Sequence, residues 1–536
     1  MLFFGDLNEY PYICDVWCSV VFFLRYVLFI FMRIKIFLIS ASLLFVVSSG
    51  RTYAGDTLPA TVGPETPHWS VTWKRLNMSG PVMELAGRLN HLPTKCNAPG
   101  LWSIGCETLD RDYADFDKYR PWLCEIGARS ARIQSGWAKC EPEAGKYDFG
   151  WLDHIVDGLI EEGLTPWMSL GYGNPVYGAE KSLGSRIFSD DRTMKAWRKY
   201  VNALVTRYRG KVNEWEIWNE PNLGRGNNSA ADYANLVIAT VAEIKKVSPD
   251  AVIIAGSLSR MPLDFTSDFL DILKKKNVLG DIDYISFHPY FENPDDAVDG
   301  ILELAELVRS YNPDIKLFMG ECGCPCVLEW GHALRYHEWS EYSQAKWVAR
   351  RMLNDWSLGI RSSIFTFVDL QYPNMMQSFG MLRTNLLKEV VYRRPAFYTF
   401  RNIVNVFTPG LVPDRTLEYD CNSARELSLT GVRIGEDIAG AVMWFSDKLP
   451  SDALDFQEVD LTLKGVALAE PVLVDLITGR VYNVKRYRGD VMAGRQKFTG
   501  LQLWDSPMLL IDMKFLPEGS VSVPVNSDGS VRDMKY

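Results

Sequence analysis

Between Leu101 and about Val406, short apolar runs alternate with amphipathic stretches, and this alternation constrains the fold more than any other feature of the chain. Short apolar runs bounded by turn residues read as strands buried on both faces, and the stretches between them carry helical periodicity. The strand candidates are Leu101–Cys106, Ala131–Gln134, Thr165–Leu170, Glu214–Trp218, Val252–Ala255, Tyr284–Phe287, Lys316–Met319 and Ser363–Phe367. Helices are expected over Trp151–Glu162, Thr193–Tyr208, Ala230–Val247, Phe265–Lys275, Ala297–Ser310, Ser343–Trp356 and Arg394–Val404. In the first of these, Leu152, Ile155, Val156, Leu159 and Ile160 fall on one face. Strands and helices in this order make an α/β chain with the count of a (β/α)8 TIM barrel. The rival is an open doubly wound sheet. Its nucleotide-binding form is disfavoured because no glycine-rich phosphate loop follows the first strand.

The chain has 536 residues, more than a barrel of roughly 250–300 residues needs. The barrel is assigned to 100–406. After Pro409 the texture changes to strand-like pieces separated by turns: Glu426–Leu429, Ile438–Met443, Gln457–Leu461, Pro471–Asp475, Val481–Val484 and Met508–Asp512. These predict a C-terminal antiparallel β-sandwich domain over 407–516, followed by a polar tail over 517–536. A lead-in over 55–99, with runs such as Trp69–Trp73, is expected to add strands to that sandwich. Residues 1–54 read as a leader. Met32-Arg33-Ile34-Lys35, the apolar run Ile36 to Val47 and the small residues beyond it fit a secretory signal whose true start is Met32. Export to a periplasmic or extracellular space follows, an uncleaved N-terminal anchor being the alternative. Past the leader lie Cys96, Cys106, Cys124, Cys140, Cys322, Cys324, Cys326 and Cys421. An oxidising compartment permits disulfides among them, and sequence does not assign a pairing.

A net charge of -9 leaves no basic footprint, so nucleic acid is not an expected partner. Oligomeric state is left open. The 17 Trp and 24 Tyr suit either a large aromatic core or stacking against sugar rings. The six His are scattered. His332 and His337 lack the spacing of a helical zinc pair, and Cys322, Cys324 and Cys326 lack a fourth ligand. No metal and no cofactor is therefore called for.

Active sites of such barrels lie at the C-terminal ends of the strands. The fourth strand ends Trp215-Glu216-Ile217-Trp218-Asn219-Glu220-Pro221-Asn222, and the seventh ends Leu317-Phe318-Met319-Gly320-Glu321-Cys322-Gly323. Two glutamates thus reach the mouth from opposite sides. Paired carboxyls are what glycoside cleavage needs: one gives a proton to the leaving oxygen, and the other attacks the anomeric carbon. A gap of about 5–5.5 Å excludes an attacking water, so configuration is retained. The structural alternative for Glu220 is a carboxylate at a helix N-terminus, with Pro221 in the first turn.

On the Trp218-Asn219-Glu220-Pro221 motif and the strand-seven Glu321, the region from Leu101 to Val406 resembles the clan A glycoside hydrolases. Within that clan it is most similar to family 39, through the run from Glu214 to Asn222 and the segment Ser286-Phe287-His288-Pro289-Tyr290. The resemblance implies a retaining glycosidase acting on a glycan, with Glu220 as acid/base and Glu321 as nucleophile. It further implies that Asn219 bonds the sugar 2-hydroxyl, that Arg132 holds the nucleophile ionised, and that His288 and Tyr290 line the pocket and orient the carboxylates. Clan A members commonly carry a Trp on strand eight as a sugar platform. Here that strand reads Ser363-Ile364-Phe365-Thr366-Phe367-Val368-Asp369, so Phe367 or Tyr372 is the expected substitute. Trp137, Tyr172, Asn174 and Tyr177 are further candidate sugar contacts. The ring-rich loop with Trp330, His332, Tyr336, His337 and Trp339 suits a subsite or lid, or packs on its own aromatics. The alternative to an enzyme is a catalytically inactive carbohydrate-binding barrel protein.

Overall fold

The computed structural model describes residues 83–522, apart from 91, 93, 95–99, 225–227 and 491–493. The expected leader, Met32, Trp69–Trp73, Cys96 and most of the polar tail lie outside the described residues.

Eight parallel strands close a barrel: β1 (Trp102–Gly105), β2 (Ser130–Gln134), β3 (Thr165–Leu170), β4 (Glu214–Ile217), β5 (Val252–Ser259), β6 (Tyr284–His288), β7 (Lys316–Cys322) and β8 (Arg361–Ile364). β8 pairs back onto β1, with Ser103 opposite Ser363. Closure removes both sheet edges, so the open-sheet rival is excluded. Seven long helices follow the strands after the first: α1 (Gly150–Glu161), α2 (Asp191–Tyr208), α3 (Ala230–Val247), α4 (Leu263–Lys275), α5 (Val298–Tyr311), α6 (Glu341–Ser357) and α7 (Pro395–Val406). Between β1 and β2 stand only short helical turns such as Phe116–Tyr119. Local chemistry fixes several starts. The Ser229 hydroxyl and the Asp232 carboxylate cap α3 reciprocally, and the Ser340 and Ser343 hydroxyls do the same for α6. In α1, Leu152, Ile155, Val156 and Leu159 are buried as the periodicity predicts, whereas Ile160 is 42% exposed because it sits at the margin of that face.

The barrel interior is layered, as alternating strands require. Trp167 of β3, Ile254 of β5 and Phe318 of β7 pack together, and the Trp167 indole N–H donates to Ser103 Oγ of β1 at 2.9 Å. The Arg132 guanidinium lies 5.5 Å from the Trp167 ring centroid. With Arg132 begins a polar layer supplied by even strands: Arg132 of β2, Glu216 of β4 and Ser286 of β6.

The second module is a two-sheet sandwich of eight and four antiparallel strands. Leu85–Leu89 runs in the larger sheet, between Arg480–Asn483 and Val521–Ser522. Residues alternate across this sheet. Val442, Trp444, Val472, Val474, Leu509 and Ile511 join the barrel's core, while Ala441, Met443, Phe445, Leu473, Met508 and Leu510 form the sandwich's own. Burial on both faces explains why Pro471–Asp475 and Met508–Asp512 read as nearly unbroken apolar runs. α6 lies at this junction with nearly every residue buried, including Lys346 and Arg350.

Candidate active site

Beyond β4 the backbone turns sharply. Trp218 (φ 68°) and Glu220 (φ 49°) both occupy the left-handed region, which non-glycine side chains enter at a cost of order 1–3 kcal/mol. The turn is held from outside: Glu220 N–H donates to Ser257 O at 2.7 Å, and the Asn222 amide exchanges two 2.9 Å hydrogen bonds with the Ser259 backbone. Residues 221–224 form a turn, so Glu220 does not head a helix. Thr108, Arg260, His332 and Leu334 also have positive φ and line the same cavity as Glu220. Backbone strain thus gathers around that opening.

β7 brings Glu321 to the facing side. The preceding Gly320 is required there, since a Cβ would stand 2.1 Å from Ser286 Oγ. Glu321 Oε2 accepts from Arg132 Nη1 at 2.5 Å, and Oε1 accepts from the Tyr290 hydroxyl at 3.0 Å. Burial alone would push this carboxyl up. The charges of His288 and Arg132, with the hydrogen bonds from Arg132 and Tyr290, outweigh burial and hold it below its ordinary value.

Arg132 has no exposed surface and reaches several acceptors at once. Its guanidinium meets Glu216 Oε2 at 2.5 and 2.9 Å, Asn219 Oδ1 at 2.7 Å and Glu107 Oε1 at 3.3 Å, besides Glu321. Asn219 is turned by this contact so that its oxygen is occupied and its amide NH2 remains as the donor group. His288, also fully buried, places Nδ1 3.2 Å from Glu220 Oε1 and 4.0 Å from Glu321 Oε1, with Nε2 3.3 Å from Ser257 Oγ. The two Nδ1 contacts together bound the separation of the glutamate Oε1 atoms at about 7.2 Å. Burial works against a charged imidazole, but Glu321 and Glu220 prevail and raise its pKa.

Between the two glutamates opens a cavity of about 950 Å³, bordered by Asn219, Glu220, Tyr290 and Glu321. It adjoins a second space of about 580 Å³, with which it shares Arg260, Tyr290, His332 and Leu334. The loop after β7 therefore borders both. Tyr172 lines the larger cavity; its hydroxyl is reached by Gln134 Nε2 at 3.3 Å.

Six expected site residues meet here: Glu220, Glu321, Asn219, Arg132, His288 and Tyr290. Arg132 and His288 stand behind the carboxylates and are absent from the cavity wall, because hydrogen bonds to buried acids consume them. Three others need correction. Trp137 is buried among Tyr177, Trp197 and Tyr200, its indole donating to Glu141 at 2.6 Å. Asn174 is buried as well, capping a short turn and donating to Glu141 O at 2.9 Å. Phe367 packs into the core against Tyr119 and Phe397, since β8 ends at Ile364 and the chain turns before reaching it. Phe365 and Tyr372 line the cavity instead. Sequence reasoning missed Glu107, Thr108 and Gln377 on the wall and Glu216 beneath it. Glu216 carried a usable signal, an acidic residue between the apolar Trp215 and Ile217 of a barrel strand.

In its closed barrel with facing glutamates at the mouths of the fourth and seventh strands, the chain resembles one class of protein, the clan A glycoside hydrolases. Within that class the chain is most like family 39. The family model described as glycosyl hydrolases family 39 matches residues 122–312, a span that includes Arg132, Glu220 and His288 and stops short of Glu321. Among curated proteins the chain is 26% identical over 144 residues to beta-glucosidase 21 of Arabidopsis thaliana, covering 24% of this chain and 27% of that one. It is 25% identical over 162 residues to a beta-xylosidase of Geobacillus stearothermophilus, covering 27% and 31%. The match thus spans about a quarter to a third of these relatives. A solved family 39 glycoside hydrolase from Bacteroides cellulosilyticus WH2 shares the fold with a TM-score of 0.57 at 16% identity, over 77% of this chain and 80% of the other.

Proposed function

We propose that this protein is a retaining β-glycosidase that cleaves an oligosaccharide or polysaccharide by double displacement. One observation carries the reading: Glu220 and Glu321 face a common cavity within reach of a single histidine nitrogen, and Glu321 alone is clamped by a guanidinium and a phenol. Glu321 stays ionised and attacks the anomeric carbon, forming a glycosyl ester. Glu220 gives its proton to the departing oxygen and then takes one from the water that opens the ester. The bound on their separation, about 7.2 Å, leaves room for the close spacing of about 5–5.5 Å that a retaining mechanism uses. Asn219 offers its amide to the sugar 2-hydroxyl. The family match and the beta-glucosidase and beta-xylosidase relatives support O-glycoside hydrolysis. The basic, apolar and small-residue order after Met32 supports export.

Activated fluoro-sugars of several configurations, followed by peptide mapping, test the assignment. The sugar that labels identifies the glycone, and the label is expected on Glu321. Stoichiometric labelling of any other residue refutes the mechanism.

A further inference from the structure

The cavity's β8–β1 side differs from its carboxylate side. Among the described residues, three side chains that line it carry a buried polar atom without a hydrogen-bond partner: Glu107 Oε2, Thr108 Oγ1 and Gln377 Oε1. Their residues are 1%, 3% and 5% exposed. Buried polar groups are almost always satisfied, so orphans gathered on one wall point to groups that arrive with a ligand.

All three are held by rigid backbone. Glu107 and Thr108 follow β1, and Thr108 N–H is fixed by Gln134 Oε1 at 3.2 Å. Gln377 stands in a short hairpin after β8, paired with Leu370. β8 and β1 are neighbours in the barrel, so these residues share a side opposite β4 and its Glu220.

Resting on the glycosidase reading above, we propose that Glu107, Thr108 and Gln377 form the wall that reads hydroxyl groups of the bound glycosyl ring, selecting a neutral sugar over its uronic-acid counterpart. Glu107 and Gln377 offer oxygens that accept from ring hydroxyls, and the Thr108 hydroxyl donates or accepts. A ring carboxylate brings only acceptors. It would also come close to Glu321, whose cation, Arg132, is already engaged by Glu216 and Glu107. Arg111, which also lines the cavity, is already paired with Asp110 at 3.3 Å and donates to Gln134. Arg260 lies on the other side, where the cavity meets the second space. Burial and the Glu321 charge push the Glu107 carboxyl up to about 7 against Arg132, which equips it to donate as well as accept near neutral pH.

The test is calorimetric binding of a panel of neutral aryl β-glycosides and the matching uronides to the full-length protein carrying Glu220→Gln, alone and combined with Glu107→Gln, Thr108→Ala or Gln377→Ala. The best neutral glycoside should bind at least 10-fold tighter than its uronide. Glu107→Gln should narrow that ratio at least 5-fold, and Thr108→Ala and Gln377→Ala should each weaken neutral-glycoside binding about 3- to 10-fold. If Glu107→Gln does not fold, the two rim variants decide the matter. Uronides binding as tightly as neutral glycosides, or both rim variants binding unchanged, overturns the proposal, as does binding of no glycoside at all. Binding that follows this pattern in a protein whose Glu321 is never labelled would sink the hydrolytic reading and leave the wall standing.

Discussion

Two regions of this molecule bury cations completely, and they are wired on different plans. At the junction of barrel and sandwich, Arg350 meets one carboxylate, Asp295, at 2.6 and 2.8 Å. Its other partners are the Asn293 amide oxygen and the backbone carbonyls of Ser446 and Lys448. Lys346 likewise meets Asp505 at 2.5 Å and the Ala453 carbonyl at 3.0 Å. Each charge there has one opposite charge, and neutral dipoles fill the remaining positions. At the barrel mouth, Arg132 faces three carboxylates, Glu107, Glu216 and Glu321. The best-bonded of the coupled pair, Glu321, keeps its charge, and Glu107, with one long contact, takes up the proton. A balanced cluster can only hold its elements together. An over-acidic one holds more carboxyls than its cation can neutralise, so Glu107 is driven toward its protonated form while Glu321 keeps the charge a nucleophile needs.

The largest expected effect breaks the comparison or confirms it. Arg132→Met and Arg350→Met each strand buried carboxylates, and losing one partner of such a pair costs about 3–5 kcal/mol. Urea unfolding should therefore rank the two variants alike. Turnover should separate them: kcat falls at least ~1,000-fold in Arg132→Met, which loses the charge that keeps Glu321 ionised, an effect on the scale of a missing electrostatic group in an active site. Arg350→Met, assayed below its unfolding transition, should stay within about threefold of the parent. Comparable loss of turnover in both would mean that the two clusters do the same job.

A smaller change sharpens the mouth side alone. Tyr290→Phe removes the 3.0 Å hydrogen bond to Glu321 Oε1 and little volume. Hydrogen bonds to charged groups contribute about 1.5–3 kcal/mol, so kcat should fall roughly 10- to 100-fold. The acidic limb of the kcat/KM profile should also move to higher pH, because Glu321 loses one of the donors that hold its carboxyl low. A fall in kcat with an unmoved acidic limb would assign Tyr290 to the substrate rather than to the nucleophile.

The two regions were unequally legible in the sequence. Periodicity and strand-end position located the barrel and both glutamates, since a glutamate that closes an apolar run has few places to point but the mouth. Pro471–Asp475 and Met508–Asp512 were equally plain, their two buried faces leaving an almost unbroken apolar run, whereas the interior strand Arg495–Leu503 was missed because polar residues alternate along its outer face. Leu411–Asp414, Tyr419–Cys421 and Tyr487–Asp490 were missed as well, because they lie at or near sheet edges, are short, and carry polar side chains. The wiring of Arg132 was visible only in part. Its role toward Glu321 came from resemblance, whereas its contacts with Glu107 and Glu216 depend on barrel closure between residues up to 84 positions apart. Trp137, Asn174 and Phe367 were misplaced for a common reason. Being near a strand end in sequence does not say whether a side chain turns toward the cavity or the core, and in β8 the strand stops before Phe367.

The finest discrimination lies in stability against pH. Glu107 has an ordinary value of 4.5 when unfolded and about 7 in the fold, raised by burial and by Glu321. The folded state therefore holds more protons than the unfolded one across that window, and stability must fall as pH rises through it. The contribution is complete below about 4.5 and gone once pH passes about 7. Glu321 runs the other way: held low in the fold, it adds stability above its ordinary value and loses it as pH drops. His288, raised by the two glutamates, sheds stability as pH climbs through its folded value. Comparing the parent with Glu107→Gln removes most of the His288 contribution and leaves that of Glu107 together with the part of Glu321's that depends on it. At about 1.4 kcal/mol per pH unit, the ceiling is roughly 3 kcal/mol. Between pH 5 and pH 8 the variant's melting temperature should therefore gain on the parent's by a few degrees, about 2–4 °C per kcal/mol at most for a chain this large. A parent and a Glu107→Gln variant that melt in parallel from pH 5 to pH 8 would show that Glu107 is already ionised in the fold. The contrast between an over-acidic mouth and a balanced junction would then have to be drawn from geometry alone.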